Sequence, residues 1–388
     1  MKHLYLVLIV LFVATSCKTY LSKITEVEVG EVPQQVEDVF IENPEGIQVE
    51  VWQENLVIPW SLVFLPDGSA LVSQRTGSII YIKDGDMQNQ PYAVMPDIRQ
   101  KHGTEGGLMG LAVHPDFENQ PYVYAKYTFD DGEEFDNRVV RFRHAGNRGI
   151  FDKVILKGMP AANNHNGGRI KFGPDGMLYI ATGEIFDRSL PQDMNSLGGK
   201  FLRVKPDGDI PPDNPFPDSP IYTLGHRNAQ GIAWHPETGD LFSSEHGPSG
   251  EMLITGNDII NIIYPGKNYG WPRVVGQMNY PEFEDPIIMW SNATPPSGMD
   301  FWNGDLYVAT LRSRTLIRIE LEKDSNSDDY SILNIERWFS AKRNEGTYGR
   351  LRDVVVGPDN ALYVLTSNRD GRGSPQEGDD KILRITKK

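Results

Sequence analysis

Ile170-Lys171-Phe172-Gly173-Pro174-Asp175-Gly176-Met177-Leu178-Tyr179-Ile180 is two short apolar runs hinged on Gly-Pro-Asp-Gly. Pro presets φ for a turn, Asp can hydrogen-bond the backbone two residues on, and Gly accepts the left-handed conformation. The segment therefore predicts two antiparallel strands and a tight turn. The pattern recurs in Leu62 to Gly68 before Ala70-Leu71-Val72, in Leu111 to Asp116 before Tyr122-Val123-Tyr124, and in Ile232 to Glu237 before Asp240-Leu241-Phe242. It returns in Val355 to Asn360 before Ala361-Leu362-Tyr363-Val364, and a degenerate copy, Met299 to Gly304 before Leu306-Tyr307-Val308, makes six. With Pro66, Pro115, Pro174, Pro236, Asn303 and Pro358 as markers, the intervals are 49, 59, 62, 67 and 55 residues, enough for one four-stranded blade and an elaborated loop each. Four copies close with a further strand: Ile79 to Ile82, Val139 to Arg143, Leu316 to Ile319 and Ile382 to Ile385. Helical periodicity is nearly absent. Sheets of this kind cannot bury both faces alone and pack best around a central channel. The expected fold is all-β: a single-domain six-bladed β-propeller of four-stranded antiparallel blades, spanning residues 48–388. A pair of β-sandwiches would show no regular recurrence.

The 38 Lys+Arg against 53 Asp+Glu leave a net charge of -15, the opposite of what a phosphate-neutralising, nucleic-acid-binding protein carries. At the N-terminus, Lys2 and His3 precede the apolar run Leu4 to Val13 and then Ala14-Thr15-Ser16-Cys17. The run is shorter than the roughly 20 residues needed to cross a bilayer and ends in small residues, as a signal peptide does. Residues 1–16 are expected to be that signal peptide. The block resembles a bacterial lipoprotein signal, with Ala14 where Leu is commoner. That resemblance implies an acylated Cys17, an exported protein, periplasmic or associated with the outer membrane, and membrane contact only through the lipid. Cys17 is the single cysteine, so no intramolecular disulfide can form. Residues 17–47, rich in Glu, Val and Gln, are expected to be an acidic tether.

In a propeller, polar residues that interrupt the strand pattern near the inner strands are candidates for chemistry. His114 and His235 precede the repeat proline and are expected to cap blade turns. His165, in Asn163-Asn164-His165-Asn166-Gly167-Gly168-Arg169, stands in a polar loop just before an inner strand, a fitting place for a general base. Gly225-His226-Arg227-Asn228-Ala229-Gln230-Gly231 brings a cation and an amide ahead of another inner strand. Gly247-Pro248 can be an ordinary turn or can offer main-chain oxygens to a hard cation. Arg350 and Arg352, two apart, would point one way on a strand, either into solvent or onto a carboxylate ligand.

These blocks, with Glu105-Gly106-Gly107-Leu108-Met109-Gly110, His114-Pro115-Asp116-Phe117 and Lys267-Asn268-Tyr269-Gly270-Trp271-Pro272, resemble the soluble quinoprotein sugar dehydrogenases, the PQQ-dependent aldose and glucose dehydrogenases. The resemblance runs from about Val57 to Ile385. It implies oxidation of the C1 hydroxyl of an aldose to the lactone, with hydride transfer to PQQ and an external electron acceptor. His165 would be the base and Arg227 would stabilise charge developing on the quinone oxygen. Asn228, Arg312, Arg350 and Arg352 would hold PQQ, and Gly247 and Pro248 would give main-chain oxygens to Ca²⁺. Trp290 would stack on the cofactor or sit in a blade core. Glu105 stands near the substrate where the glucose enzymes have Gln, and a stretched segment after Pro248 leaves open whether Asp258 touches the cofactor. Two rival readings are a calcium-dependent hydrolase of the lactonase kind and a non-catalytic ligand-binding propeller. The first needs carboxylates and amides around its metal, and the second leaves His165, Arg227 and the arginine pair without a task.

Overall fold

Each of the six recurrences folds as the first two strands of one blade. The computed structural model describes residues 27–251, 254–325, 327 and 329–388. Blade 1 is Pro59–Phe64, Ala70–Gln74 and Ser78–Lys83, edged by the short Asp86–Met87 and Ala93–Val94. Blade 2 is Leu108–Val113, Tyr122–Asp130, Phe135–Ala145 and Arg148–Met159, and blade 3 is Ile170–Phe172, Leu178–Ala181, Lys200–Val204 and Ile221–Leu224. Blade 4 is Ala229–Trp234, Leu241–Glu245, Asp258–Ile262 and Ile288–Trp290. Blade 5 is Pro296–Trp302, Asp305–Thr310, Leu316–Lys323 and Tyr330–Trp338. Blade 6 is Leu351–Val356, Leu362–Thr366 and Ile382–Lys387, and takes its outer strand, Ile47–Gln53, from the N-terminal side. That exchange closes the ring: the last blade cannot form without residues that precede the first. The fold is the expected six-bladed propeller.

The turn chemistry matches the sequence logic. Asp67, Asp175 and Asp359 each accept a hydrogen bond from the backbone N–H two residues on, at 3.0, 3.0 and 3.2 Å. Gly176 (φ +74°) and Asn360 (φ +57°) hold the left-handed position of their copies, which Gly and Asn reach most easily. His114 Nδ1 accepts the Asp116 N–H at 3.1 Å and His235 Nδ1 accepts those of Glu237 and Thr238, so both histidines cap their blade turns.

The core is divided between blades. One apolar cluster fills each of the six interfaces: Leu71, Leu108, Val123 and Phe142 between blades 1 and 2; Tyr124, Ile170 and Leu202 between 2 and 3; Phe201, Tyr179 and Ile232 between 3 and 4. Phe242, Met299 and Val308 serve blades 4 and 5, Trp302, Tyr307 and Leu362 blades 5 and 6, and Leu62, Val72 and Tyr363 blades 6 and 1. Both faces of the blades are covered, which is why their strands read as almost continuous apolar runs.

From Val27 onward the expected acidic tether is instead part of the propeller. Val27 packs on Ile259, Trp271, Val275 and Met289, Glu28–Val29 pairs in parallel with Val274–Val275, and Asp38–Ile41 adds a fifth, parallel strand to blade 5. Its β-branched residues cover blade edges that would otherwise be open. Asp38 is ion-paired with the buried Arg337 and accepts the Trp290 indole N–H at 3.3 Å. The signal peptide, Cys17 and the tether up to residue 26 lie outside the described residues.

Candidate active site

In an antiparallel blade, the loop from the fourth strand to the next blade and the loop between the second and third strands emerge at the same end. Apart from Asp258, which begins the third strand of blade 4, the side chains that line the site come from these two loop types. Glu105, His165, Arg227 and Arg350 lie on connections between blades, and Glu184, Gly247, Arg312, Arg314 and Arg372 lie on second-to-third-strand loops. Antiparallel topology alone gathers them at one mouth of the channel. There, Glu105, Asn164, His165, Phe186, Arg227 and His246 line a cavity of about 530 Å³, together with Gly247, Asp258 and the arginines 312, 314, 350 and 372.

His165 has the geometry of a base. Its Nδ1 lies 3.0 and 2.9 Å from the two oxygens of Glu184, a fully buried carboxylate that can only accept, so Nδ1 carries the proton. Nε2 is left with the lone pair and lies 3.2 Å from Nη2 of Arg227, a group that can only donate. The imidazole packs against Phe186, with ring centroids 3.7 Å apart. Its backbone is left-handed (φ +56°), held by the His165 N–H to Glu105 Oε2 at 2.9 Å and the Ile185 N–H to His165 O at 3.2 Å. Gly183 has to be glycine, since a Cβ there would collide with the His165 carbonyl.

Behind this pair, Lys126 is wholly buried on the second strand of blade 2. Its Nζ donates to Asn166 O at 2.9 Å and Ala181 O at 2.8 Å, one carbonyl from the loop that carries His165 and one next to the loop that carries Glu184. Burial pushes the lysine pKa down to about 7. A neutral amine has two N–H donors, which match the two carbonyls.

Arg227 is ion-paired with Glu251 and donates Nη1 to His246 O at 3.1 Å. Burial pushes the His246 imidazole down to about 3, so it is neutral at physiological pH. Asp258 is buried beside Gly247, accepting the N–H groups of Gly247 (2.9 Å) and Thr294 (2.6 Å). Burial raises its carboxyl to about 6, and its hydrogen bonds among the described residues come from backbone N–H groups rather than from a cation. His165, Glu184 and Glu251 are close enough to hold a metal, with ligand atoms within 4.8 Å of one another. Both carboxylates are already engaged, Glu184 by the imidazole and Glu251 by Arg227.

The expected residues therefore divide. His165, Arg227, Glu105, Gly247, Arg312 and Arg350 line the cavity. Pro248 borders a smaller void behind it, with Trp271 and Asn261. Asn228 is buried beneath the floor, where Oδ1 accepts the Gly167 backbone N–H and the Gln230 side-chain amide at 3.0 Å each. It shapes the His165 loop. Arg350 and Arg352 do not act as a matched pair, because a register shift between Leu351 and Asp353 separates them. Arg350 is ion-paired with Asp370 at 2.8 Å, while Arg352 lies deeper in the channel, donating to Gln230 and Ser297. Burial lowers Arg352 to about 9. Trp290 is not brought to the cavity: it ends the outer strand of blade 4, bonded to Asp38, and lines a separate void with Arg337. An outer-strand residue is carried away from the channel axis, and its place at the start of a loop hides that in the sequence.

Glu184, Glu251, Arg314, Arg372 and Lys126 escape the sequence reading. For Glu184 a signal exists. His165 and Glu184 are 19 residues apart, and one blade later His226 and Glu245 repeat both the spacing and the Nδ1 contact, at 2.9 Å. In that second copy Nε2 is bonded to Thr223 within the core at 2.8 Å. In the first it meets the Arg227 guanidinium at the cavity wall.

A propeller with a carboxylate-backed histidine and an arginine-lined cavity at one mouth defines the class as a propeller enzyme. The chain belongs to the Glucose / Sorbosone dehydrogenase family, whose model matches residues 56–383. The aldose sugar dehydrogenase of Escherichia coli is 33% identical over 84% of this chain and 92% of its own length. A solved structure from Thermus thermophilus is 48% identical, covers 88% of this chain and 100% of its own, and superposes with a TM-score of 0.81. The PQQ-bound aldose sugar dehydrogenase of Streptomyces coelicolor is 40% identical, covers 88% and 98%, and gives 0.74. This chain is an oxidoreductase of the sugar dehydrogenase type.

Proposed function

We propose that this chain oxidises the C1 hydroxyl of an aldose to the lactone, with PQQ and Ca²⁺ bound in the mouth cavity and an external electron acceptor. The observation that carries the reading is the His165 imidazole, which lines the cavity with its protonated Nδ1 held by Glu184 and its Nε2 beside the Arg227 guanidinium. The cavity suits a multiply charged carboxylate. Arg312 and Arg314 line it with no ion pair among the described residues, and the buried Arg227 Nε and His246 Nε2 have no hydrogen-bond partner. In a protein of net charge -15, that local cation cluster is what a tricarboxylate requires. Asp258, a buried carboxylate beside Gly247 that makes no direct ion pair among the described residues, supports a cation near the main-chain oxygens of Gly247 and Pro248.

Bound PQQ would supply an ortho-quinone that accepts two electrons and the C1 hydrogen as hydride. The chain's own residues manage the proton. His165 Nε2 takes it from the C1 hydroxyl, and Glu184 stabilises the imidazolium that forms. Phe186 packs on the ring and limits water beside it. Glu251 holds the Arg227 guanidinium next to Nε2, where it favours negative charge in the cavity.

We also place the protein outside the cytoplasm, tethered through Cys17, on the evidence of the N-terminal signal. No helix among the described residues is long and apolar enough to cross a membrane. The test is reconstitution of purified protein with PQQ and Ca²⁺, followed by dye reduction over a panel of aldoses. The reading expects turnover that requires PQQ, is lost with chelator and returns with Ca²⁺. Lactone hydrolysis without PQQ would favour a hydrolase, and a bound sugar left unchanged would favour a non-catalytic propeller.

A further inference from the structure

The rim of the cavity carries an ion pair that the reaction derived above leaves unused. Arg372 comes from the long second-to-third-strand loop of blade 6 and reaches two other connections. Its Nη1 donates to Glu105 Oε1 at 2.9 Å and its Nη2 to Asn164 Oδ1 at 2.8 Å, next to His165. Its backbone N–H donates to Asp370 Oδ1 at 2.8 Å, which fixes the loop to the partner of Arg350. The second oxygen of Glu105 accepts the His165 N–H. The Arg372 side chain is 43% exposed and that of Glu105 19%, so the cation covers the anion on the solvent side. Burial alone would raise the Glu105 carboxyl, but the Arg372 guanidinium and the His165 N–H hold it well below the usual carboxylate range. The rim beside the base thus holds one fixed negative and one fixed positive charge.

Resting on the reading of this cavity as an aldose dehydrogenase site, we propose that the Glu105–Arg372 pair sets the charge of the sugar that is accepted. Paired, the two groups cancel, and the rim suits a neutral aldose, whose hydroxyls can donate to the carboxylate and accept from the guanidinium. Unpaired, either charge selects a substrate of the opposite sign.

The experiment measures kcat/KM of the PQQ- and Ca²⁺-loaded enzyme for three substrates: a neutral aldose, its 2-amino-2-deoxy analogue as the ammonium form, and the corresponding uronic acid. Arg372→Gln uncovers Glu105, and the preference for the amino sugar over the neutral sugar should rise on the order of threefold to tenfold, as expected for one charge in a partly exposed site. Glu105→Gln frees Arg372, and the preference for the uronic acid should rise by a similar factor. The double variant should return both ratios towards wild type, and Arg372→Lys should keep the neutral preference. An equal fall for all three substrates in both single variants, with unmoved ratios, would overturn the proposal and leave the pair a structural strap. Wild-type enzyme that oxidises none of the three would overturn the functional reading and this proposal together. Wild-type turnover with unmoved ratios overturns only the pair.

Discussion

Replacing Glu184 by Gln changes one charged atom into a neutral group of the same size, behind the base. The carboxylate is wholly buried, with Oε1 3.0 Å and Oε2 2.9 Å from His165 Nδ1, and Oε2 also accepts the Phe186 N–H at 3.0 Å. In Glu184→Gln the amide oxygen has one position that satisfies both donors, the place of Oε2. The Phe186 N–H therefore selects the orientation that keeps the proton on Nδ1 and the lone pair on Nε2. The variant avoids the wrong-tautomer loss of about 10⁴ known for amide substitution in a catalytic triad. It does lose the difference between a charged and a neutral hydrogen bond to the imidazolium, about 1–2 kcal/mol, which corresponds to roughly 5- to 30-fold in rate. Steady-state dye reduction at saturating PQQ should show that fall in kcat, with KM for the aldose and the PQQ titration little changed. An unchanged kcat would show that Glu184 does not support the base. A lost PQQ titration or a collapsed thermal transition would make it a folding residue instead.

Three further expectations follow from the same structure. Lys126 has a pKa near 7 when folded and about 10.4 unfolded, so between those values the unfolded chain binds more protons and stability rises with pH. Urea unfolding of wild type should gain on the order of 2 kcal/mol over Lys126→Met between about pH 7.5 and 9.5, and parallel pH dependences would show a lysine that stays charged when buried. Arg312→Ala and Arg314→Ala should each weaken PQQ binding about tenfold, in line with one charged hydrogen bond of about 1.5–3 kcal/mol, whereas unaltered calorimetric titrations of both would place the cofactor elsewhere. Deleting the chain through Pro44 leaves every blade its own strands and should give a folded protein with a lowered thermal midpoint. Deleting through Gln53 removes the closing strand of blade 6 and should abolish cooperative unfolding; an unaltered melt there would refute the closure.

The fold was legible because its turn is local. Pro, Asp and Gly within one short window dictate the hairpin, and six windows dictate six blades. The N-terminal strands were not legible, since their partners are remote: Asp38 pairs with Ile335 in the sheet and with Arg337 through its side chain, and no short-range pattern reports such a contact. In the site, His165, Arg227 and Arg350 stood out as polar residues near an inner strand, and Glu105 came only from the family resemblance. Lys126 could not stand out, because Tyr122-Val123-Tyr124-Ala125-Lys126-Tyr127 reads as an ordinary strand with one solvated position. Only the tertiary structure shows that this side chain turns inward onto two carbonyls. For Trp290 the sequence left two places open, and the structure shows the second: the loop after it belongs to the mouth, but the side chain is packed in the core between blades 4 and 5.

The measurement closest to the central claim is a hydrogen isotope effect at C1. With the PQQ- and Ca²⁺-loaded protein and an aldose carrying deuterium at C1, dye reduction should be slower than with the protiated sugar, in a single-turnover experiment that isolates the chemical step. His165→Ala should depress that step by about 10²-fold or more while leaving the PQQ titration in place. PQQ-dependent turnover with no isotope effect in the single-turnover phase, or undiminished turnover by His165→Ala, would contradict hydride removal from C1 with His165 as the base.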